Sequence, residues 1–241
     1  MALLGLILPP LLVFGGIAQL WWLEHPLPAQ TSLSAYYHAG ADCLTSSGVY
    51  RNLFVGVLCA IGACLVIYSG FSKMEDWLLN IAGALLVLVA LFPTSWSAWD
   101  LVQVCPDFKP FVASKLFGLP IAIHYAVAIL FFVAITAVNV LTAFDSVRFI
   151  STPQRKALWM WVFRFARFLM PASLLIGWLL SMKFDPERWI LWIEWSGVWA
   201  FSCYWLLKSI EICDSGVDLE MIAGNIDFAA NQSRQLERVG D

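Results

Sequence analysis

Six long apolar runs constrain this 241-residue chain more than any other feature. They cover roughly residues 2–23, 53–71, 77–96, 119–144, 158–182 and 189–207. A helix needs about 20 apolar residues to cross the hydrocarbon core of a bilayer. None of the runs alternates with the period of a lipid-facing barrel strand. The expected fold is therefore all-α, a polytopic membrane protein of six transmembrane helices, with a transmembrane domain over residues 1–210 and a polar cytoplasmic tail over 211–241.

Composition agrees. The chain is 61% hydrophobic and 13% charged, against about 45–50% and about 25% in soluble domains. Its thirteen tryptophans suit a bilayer interface. A net charge of −3 without a basic run argues against a nucleic-acid partner and leaves membrane lipids as the expected surroundings. The first run has no Lys or Arg ahead of it and is too long for a signal-peptide core, so it reads as a retained helix. Pro9 and Pro10 lack the amide proton of the helix ladder and predict a bend there.

Six spans place both termini on one side. That side carries Lys73, Arg148, Arg155, Lys156, Arg164, Arg167, Lys208, Arg234 and Arg238, against Arg51, Lys109, Lys115, Lys183 and Arg188 on the other. The excess predicts cytoplasmic termini in an inner (cell) membrane. Cys43 and Cys105 then fall in the first and third connections, on the oxidising side, where a disulfide between them and two unpaired thiols are both open readings. The two long connections, 24–50 and 97–118, are of a size that is usually functional or disordered, and their aromatic and cysteine content favours function. Thr152 followed by Pro153 predicts a helix start. Arg164 and Arg167, three apart on one helix face, suit snorkelling to anionic headgroups or an inner anion site.

The ionisable residues near the outer face form the candidate site. His25, His38 and His124 all fall there, with Ser34, Tyr36, Tyr37, Asp42, Arg51, Asn52, Thr94, Tyr125 and Glu194 at similar depth. An ionisable group inside a span costs about 2.5–3.5 kcal/mol on insertion scales, so Glu194 should be turned inward and paired, with Arg51 or His124 as the expected partners. In "SAYYH", Ser34 and His38 are four apart; an α-helix there would put both on one face. The catalytic candidates are Ser34, His38, His124 and Glu194. Tyr37, Arg51, Asn52 and Tyr125 are the candidate ligand contacts, and His38 and His124 the candidate metal ligands. The competing reading is an interfacial cap in which the tyrosines anchor at the headgroups.

An ordered set of segments carries two resemblances. "SLSAYYH", "RNLFVG" (51–56), "ALFPT" (90–94) and "HYAVAILFF" (124–132) resemble small bacterial multipass proteins of unknown function, which implies a fold and a common site but no activity. Ser34 and His38, followed by Asp42 and Cys43, are similar to the first motif of the alkaline ceramidase, adiponectin receptor and Per1 superfamily of transmembrane hydrolases. That resemblance implies a histidine-held zinc and hydrolysis of lipid-like amides or esters. The chain departs from the superfamily in having six runs rather than seven and no histidine in the last. Two functions follow as expectations: a metal-dependent hydrolase with an outward pocket, or a non-enzymatic protein that binds a lipid headgroup or small molecule there.

Overall fold

The computed structural model describes residues 1–22, 30–38, 49–95 and 122–216. Among these the chain is helical throughout, in seven α-helices and three short 3₁₀ turns. They are α1 (Ala2–Trp22), a 3₁₀ turn at Ser34–His38, α2 (Val49–Ile67), α3 (Lys73–Leu91), α4 (Ile123–Leu141), a 3₁₀ turn at Val147–Phe149, α5 (Pro153–Ala166), α6 (Leu169–Phe184), a third turn at Pro186–Arg188, and α7 (Trp189–Ser215). Among the described residues, four stretches are long and apolar enough to cross a membrane: Tyr50–Ile67, Lys73–Leu91, Ile123–Leu141 and Pro153–Phe184. α7 runs past residue 210, so the boundary expected there falls inside a helix.

Consecutive elements are neighbours, with α2 on α3, α3 on α4, α6 on α7, and α1 closing the bundle against α7. The tightest crossing is between α2 and α3. A Cβ added to Gly83 would lie 2.6 Å from the Gly62 carbonyl oxygen, and one added to Gly62 would lie 2.9 Å from the Gly83 carbonyl oxygen. Two backbones approach this closely only where neither residue has a side chain, the small-residue packing common in membrane bundles.

α1 continues through Pro9 and Pro10 as one element. Pro10 has no N–H to give the Leu6 carbonyl four residues back. Trp199 of α7 supplies the missing donor, its indole Nε1 reaching the Leu6 oxygen at 3.2 Å. The irregularity in the α1 ladder is thus used for a contact between α1 and α7.

The fifth apolar run is not a single helix. It divides at Arg167 and Phe168 into α5 and α6. Pro171 is the physical reason: its ring is incompatible with a continuous ladder through the carbonyl four residues earlier, and it fits instead in the first turn of a new helix. Arg167 sits at the break, with its guanidinium 4.6 Å from the centroid of the Phe168 ring and 5.6 Å from that of Phe144, while Arg164 is exposed. α5 begins at Thr152–Pro153 as expected, but the Thr152 hydroxyl makes no capping hydrogen bond.

Ser72 caps α3, accepting from the Glu75 amide at 3.1 Å. Glu75 returns its carboxylate to the Phe71 amide at 2.7 Å. This is a capping-box exchange displaced by one residue, and it pins the turn between α2 and α3.

Candidate functional site

Pro93 ends α3, so the carbonyls around it have no helical partner. Two histidines take them up. His124, on the first turn of α4, faces the Phe92 oxygen with Nδ1 at 2.6 Å. His38, at the end of the 3₁₀ turn, faces the Thr94 oxygen with Nε2 at 3.0 Å. A carbonyl only accepts, so each of these ring nitrogens carries a proton and donates. His124 therefore holds its neutral-state lone pair on Nε2, a buried atom with no hydrogen-bond partner among the described residues. The Thr94 hydroxyl donates to the Tyr125 hydroxyl at 3.0 Å, and Tyr125 stands edge-on to His124.

Burial pushes the His38 imidazole below its ordinary range; the Thr94 carbonyl opposes this and the neighbouring His124 charge reinforces it. A histidine with a depressed folded-state pKa binds fewer protons folded than unfolded, so stability falls as pH drops below about 6.5, the unfolded value. The His38→Gln protein keeps a donor for Thr94 and has nothing to titrate. Its thermal stability in detergent should fall less between pH 7 and pH 5 than that of the wild type; parallel curves would show that His38 contributes none of the dependence.

Glu194 lies on the second turn of α7. Its Oε2 accepts from the Leu33 amide at 2.6 Å and the Ser34 amide at 3.3 Å, and its Oε1 from the Ser34 hydroxyl at 3.3 Å. The expected partners, Arg51 and His124, are thus replaced by two backbone amides and a hydroxyl, which satisfy a carboxylate without a counter-ion. The Leu191 amide adds a bond to the Thr31 carbonyl at 3.0 Å. Segment 30–38 is thereby fastened across the start of α7. The Ser32 and Ser34 hydroxyls lie 3.1 Å apart within it.

The expectation that Ser34 and His38 share a face depended on an α-helix. The segment is 3₁₀, in which residues three apart eclipse and residues four apart diverge by about a third of a turn. Ser34 turns to Glu194 and His38 to Thr94.

Ser34, His124 and Glu194 do come together, on the wall of one cavity of about 70 Å³. The rest of the wall is apolar: Leu8 of α1, Leu33, Phe54 and Leu58 of α2, Leu86 and Val89 of α3, Ala128, Phe131 and Phe132 of α4, and Val198 of α7. His38 is buried behind it, in contact with Tyr37, which also packs on Phe54. Arg51 is half-buried and Asn52 exposed, both on the first turn of α2 and neither on the cavity wall. His25, Asp42, Cys43 and Cys105 lie outside the described residues, as does the connection after Ser95.

A catalytic zinc needs three protein ligands and an open position. Among the described residues no three His, Cys, Asp or Glu side chains are grouped so as to hold a metal ion. Glu194 has both oxygens engaged, and one ring nitrogen of His38 and one of His124 face backbone carbonyls. These residues do not make a zinc site by themselves.

Sequence reading missed the carbonyls of Phe92 and Thr94 and the Leu33 amide, because backbone groups have no letter of their own. The proline of "LFPT" was the available signal, since it ends a helix and frees carbonyls beside it. The chain matches no protein-family model, no curated protein and no solved structure.

Proposed function

We propose that this is a six-span inner-membrane protein with cytoplasmic termini, whose outward pocket binds an apolar group of a lipid-like molecule. The apolar helices, the tryptophan content and the distribution of Lys and Arg support that topology. The observation that carries the binding reading is His124: 1% exposed, on the wall of an apolar cavity beside Ser34 and Glu194, with its Nε2 making no hydrogen bond of ordinary length among the described residues. A buried acceptor of this kind suits a ligand that brings a donor, such as an amide N–H or a hydroxyl, next to its hydrocarbon. A space of about 70 Å³ has room for several water-sized groups, at about 10–15 Å³ for each on this measure, so it receives the segment of chain beside the polar group and not a whole lipid.

The test is binding of a fluorescent N-acyl ethanolamide to the protein in nanodiscs. His124→Phe keeps the ring volume and removes the acceptor, and should weaken binding about two- to tenfold, the worth of one hydrogen bond. Ala128→Leu fills the cavity and should abolish binding, whereas chelation should leave it intact. Unchanged affinity in both variants would refute the reading.

The second reading is hydrolysis of a lipid-like amide or ester, supported by the same histidine and by the resemblance to the transmembrane hydrolase superfamily. An imidazole oriented through Nδ1–H on a carbonyl, with its Nε2 lone pair at a cavity, is arranged to take a proton from attacking water. Fatty-acid release by the wild type, absent in His124→Gln, would establish it. Binding without turnover leaves the first reading in place.

A further inference from the structure

At the opposite end of the bundle lies a second polar cluster, unrelated to the cavity. Glu75 and Lys208 are each 1% exposed, and Ser146 and Glu211 are fully buried. The Lys208 ammonium donates to Ser146 Oγ at 2.6 Å, and Ser146 Oγ donates to Glu211 Oε2 at 2.8 Å. A serine has one hydroxyl proton and an ammonium cannot accept, so the direction of this chain is fixed and Glu211 is its acceptor. Glu75 accepts from the Phe71 amide through Oε2, while its Oε1 stands 4.0 Å from the same ammonium, beyond hydrogen-bond length. The rings of Phe71 and Phe163 flank the ammonium, each with its centroid 5.3 Å away.

The remaining charges nearby are committed. Asp145 accepts from the Ser72 hydroxyl at 2.6 Å and pairs with Arg148 at 3.4 Å, and Asp76 accepts from the Gly70 amide. A separate observation points into the cluster. Tyr204 is 1% exposed, its hydroxyl has no hydrogen-bond partner among the described residues, and it lies within reach of the charges of Glu75, Glu211 and Asp145.

One carboxylate thus stands beside the ammonium, and its hydrogen bond through Ser146 leads to a second. We propose that Glu75 is a proton-binding carboxyl that exchanges its proton with Glu211 through Lys208 and Ser146. The step balances. The Ser146 hydroxyl proton passes to Glu211 Oε2, an ammonium proton passes to Ser146 Oγ, and the Glu75 Oε1 proton passes to Lys208 Nζ. Three O–H or N–H bonds break and three form, with net charge unchanged. Rotation of the Lys208 side chain closes the 4.0 Å gap.

The measurement is infrared spectroscopy of the full-length protein in detergent at pH 7, where an ordinary glutamate is ionised. The wild type should show the C=O stretch of a protonated carboxyl, shifting in D₂O. Glu75→Gln should lose it, Glu211→Gln should weaken it because Glu75 is then left as the counter-ion of Lys208, and in Ser146→Ala the D₂O shift should develop more slowly. Glu75→Asp should move the band without abolishing it, and serves if the glutamine variant does not fold. A wild type with no band, or a band that survives Glu75→Gln, overturns the proposal. So does stabilisation by sodium over choline chloride that Glu75→Gln removes, which would make the site one for a monovalent cation.

Discussion

Replacing Glu194 with alanine should destabilise the protein by about 3–5 kcal/mol, because it strands the Leu33 and Ser34 amides at about 1–3 kcal/mol for each buried group left without a partner. The loss should be local before it is global. Segment 30–38 is held on α7 by these bonds and by one more, from the Leu191 amide to the Thr31 carbonyl. Hydrogen exchange at Leu33 to Tyr36 should therefore speed up at temperatures where α2 and α3 remain protected. Glu194→Gln keeps one carbonyl oxygen but turns an NH₂ toward a donor, and should fall between wild type and alanine. Unaltered exchange in the alanine variant would show that the carboxylate does not hold the segment.

The second large effect belongs to the crossing of α2 and α3. Gly83→Leu places a branched side chain where a Cβ alone already meets the Gly62 carbonyl oxygen at 2.6 Å and Val66 at 2.7 Å. Neither neighbour is the free end of a long side chain, so the helices must part. Overpacking costs about 1–3 kcal/mol in ordinary cores, and this contact should lie at the upper end or prevent folding. Gly56 is the internal control. It lies in the same α2, yet a Cβ there meets nothing within 4 Å. Gly56→Ala should be neutral or stabilising by up to about 1 kcal/mol, the difference in helix propensity. Equal thermal shifts for the two variants, measured by unfolding in detergent, would contradict the close contact.

These two sites mark how far the sequence can be read. Apolar length located the helices, because hydrocarbon thickness imposes it directly. The division at Arg167 and Phe168 was hidden, since Pro171 interrupts the backbone ladder without interrupting hydropathy. Glu194 was singled out correctly as a group needing partners. The partners were not legible, because amides are present at nearly every residue. Lys208 counts in the sequence only among the cations on the side of the termini, and it is buried beside Glu75 and Ser146. Two residues so distant in sequence give no local pattern to predict that pairing. Ser34 and His38 diverge because a five-residue turn chose a tighter winding than the spacing assumed.

α7 is one rod of 27 residues, about 40 Å long at 1.5 Å per residue. It carries Glu194 near one end and Lys208 and Glu211 near the other, with about 25 Å between the two carboxylates by the same rise. Clamped at both extremities, it cannot slide along its axis without tearing one fastening. A change of charge at Glu211 would reach segment 30–38 as a push or a twist of a stiff shaft, so the two ends are mechanically in series whether or not a molecule ever travels between them.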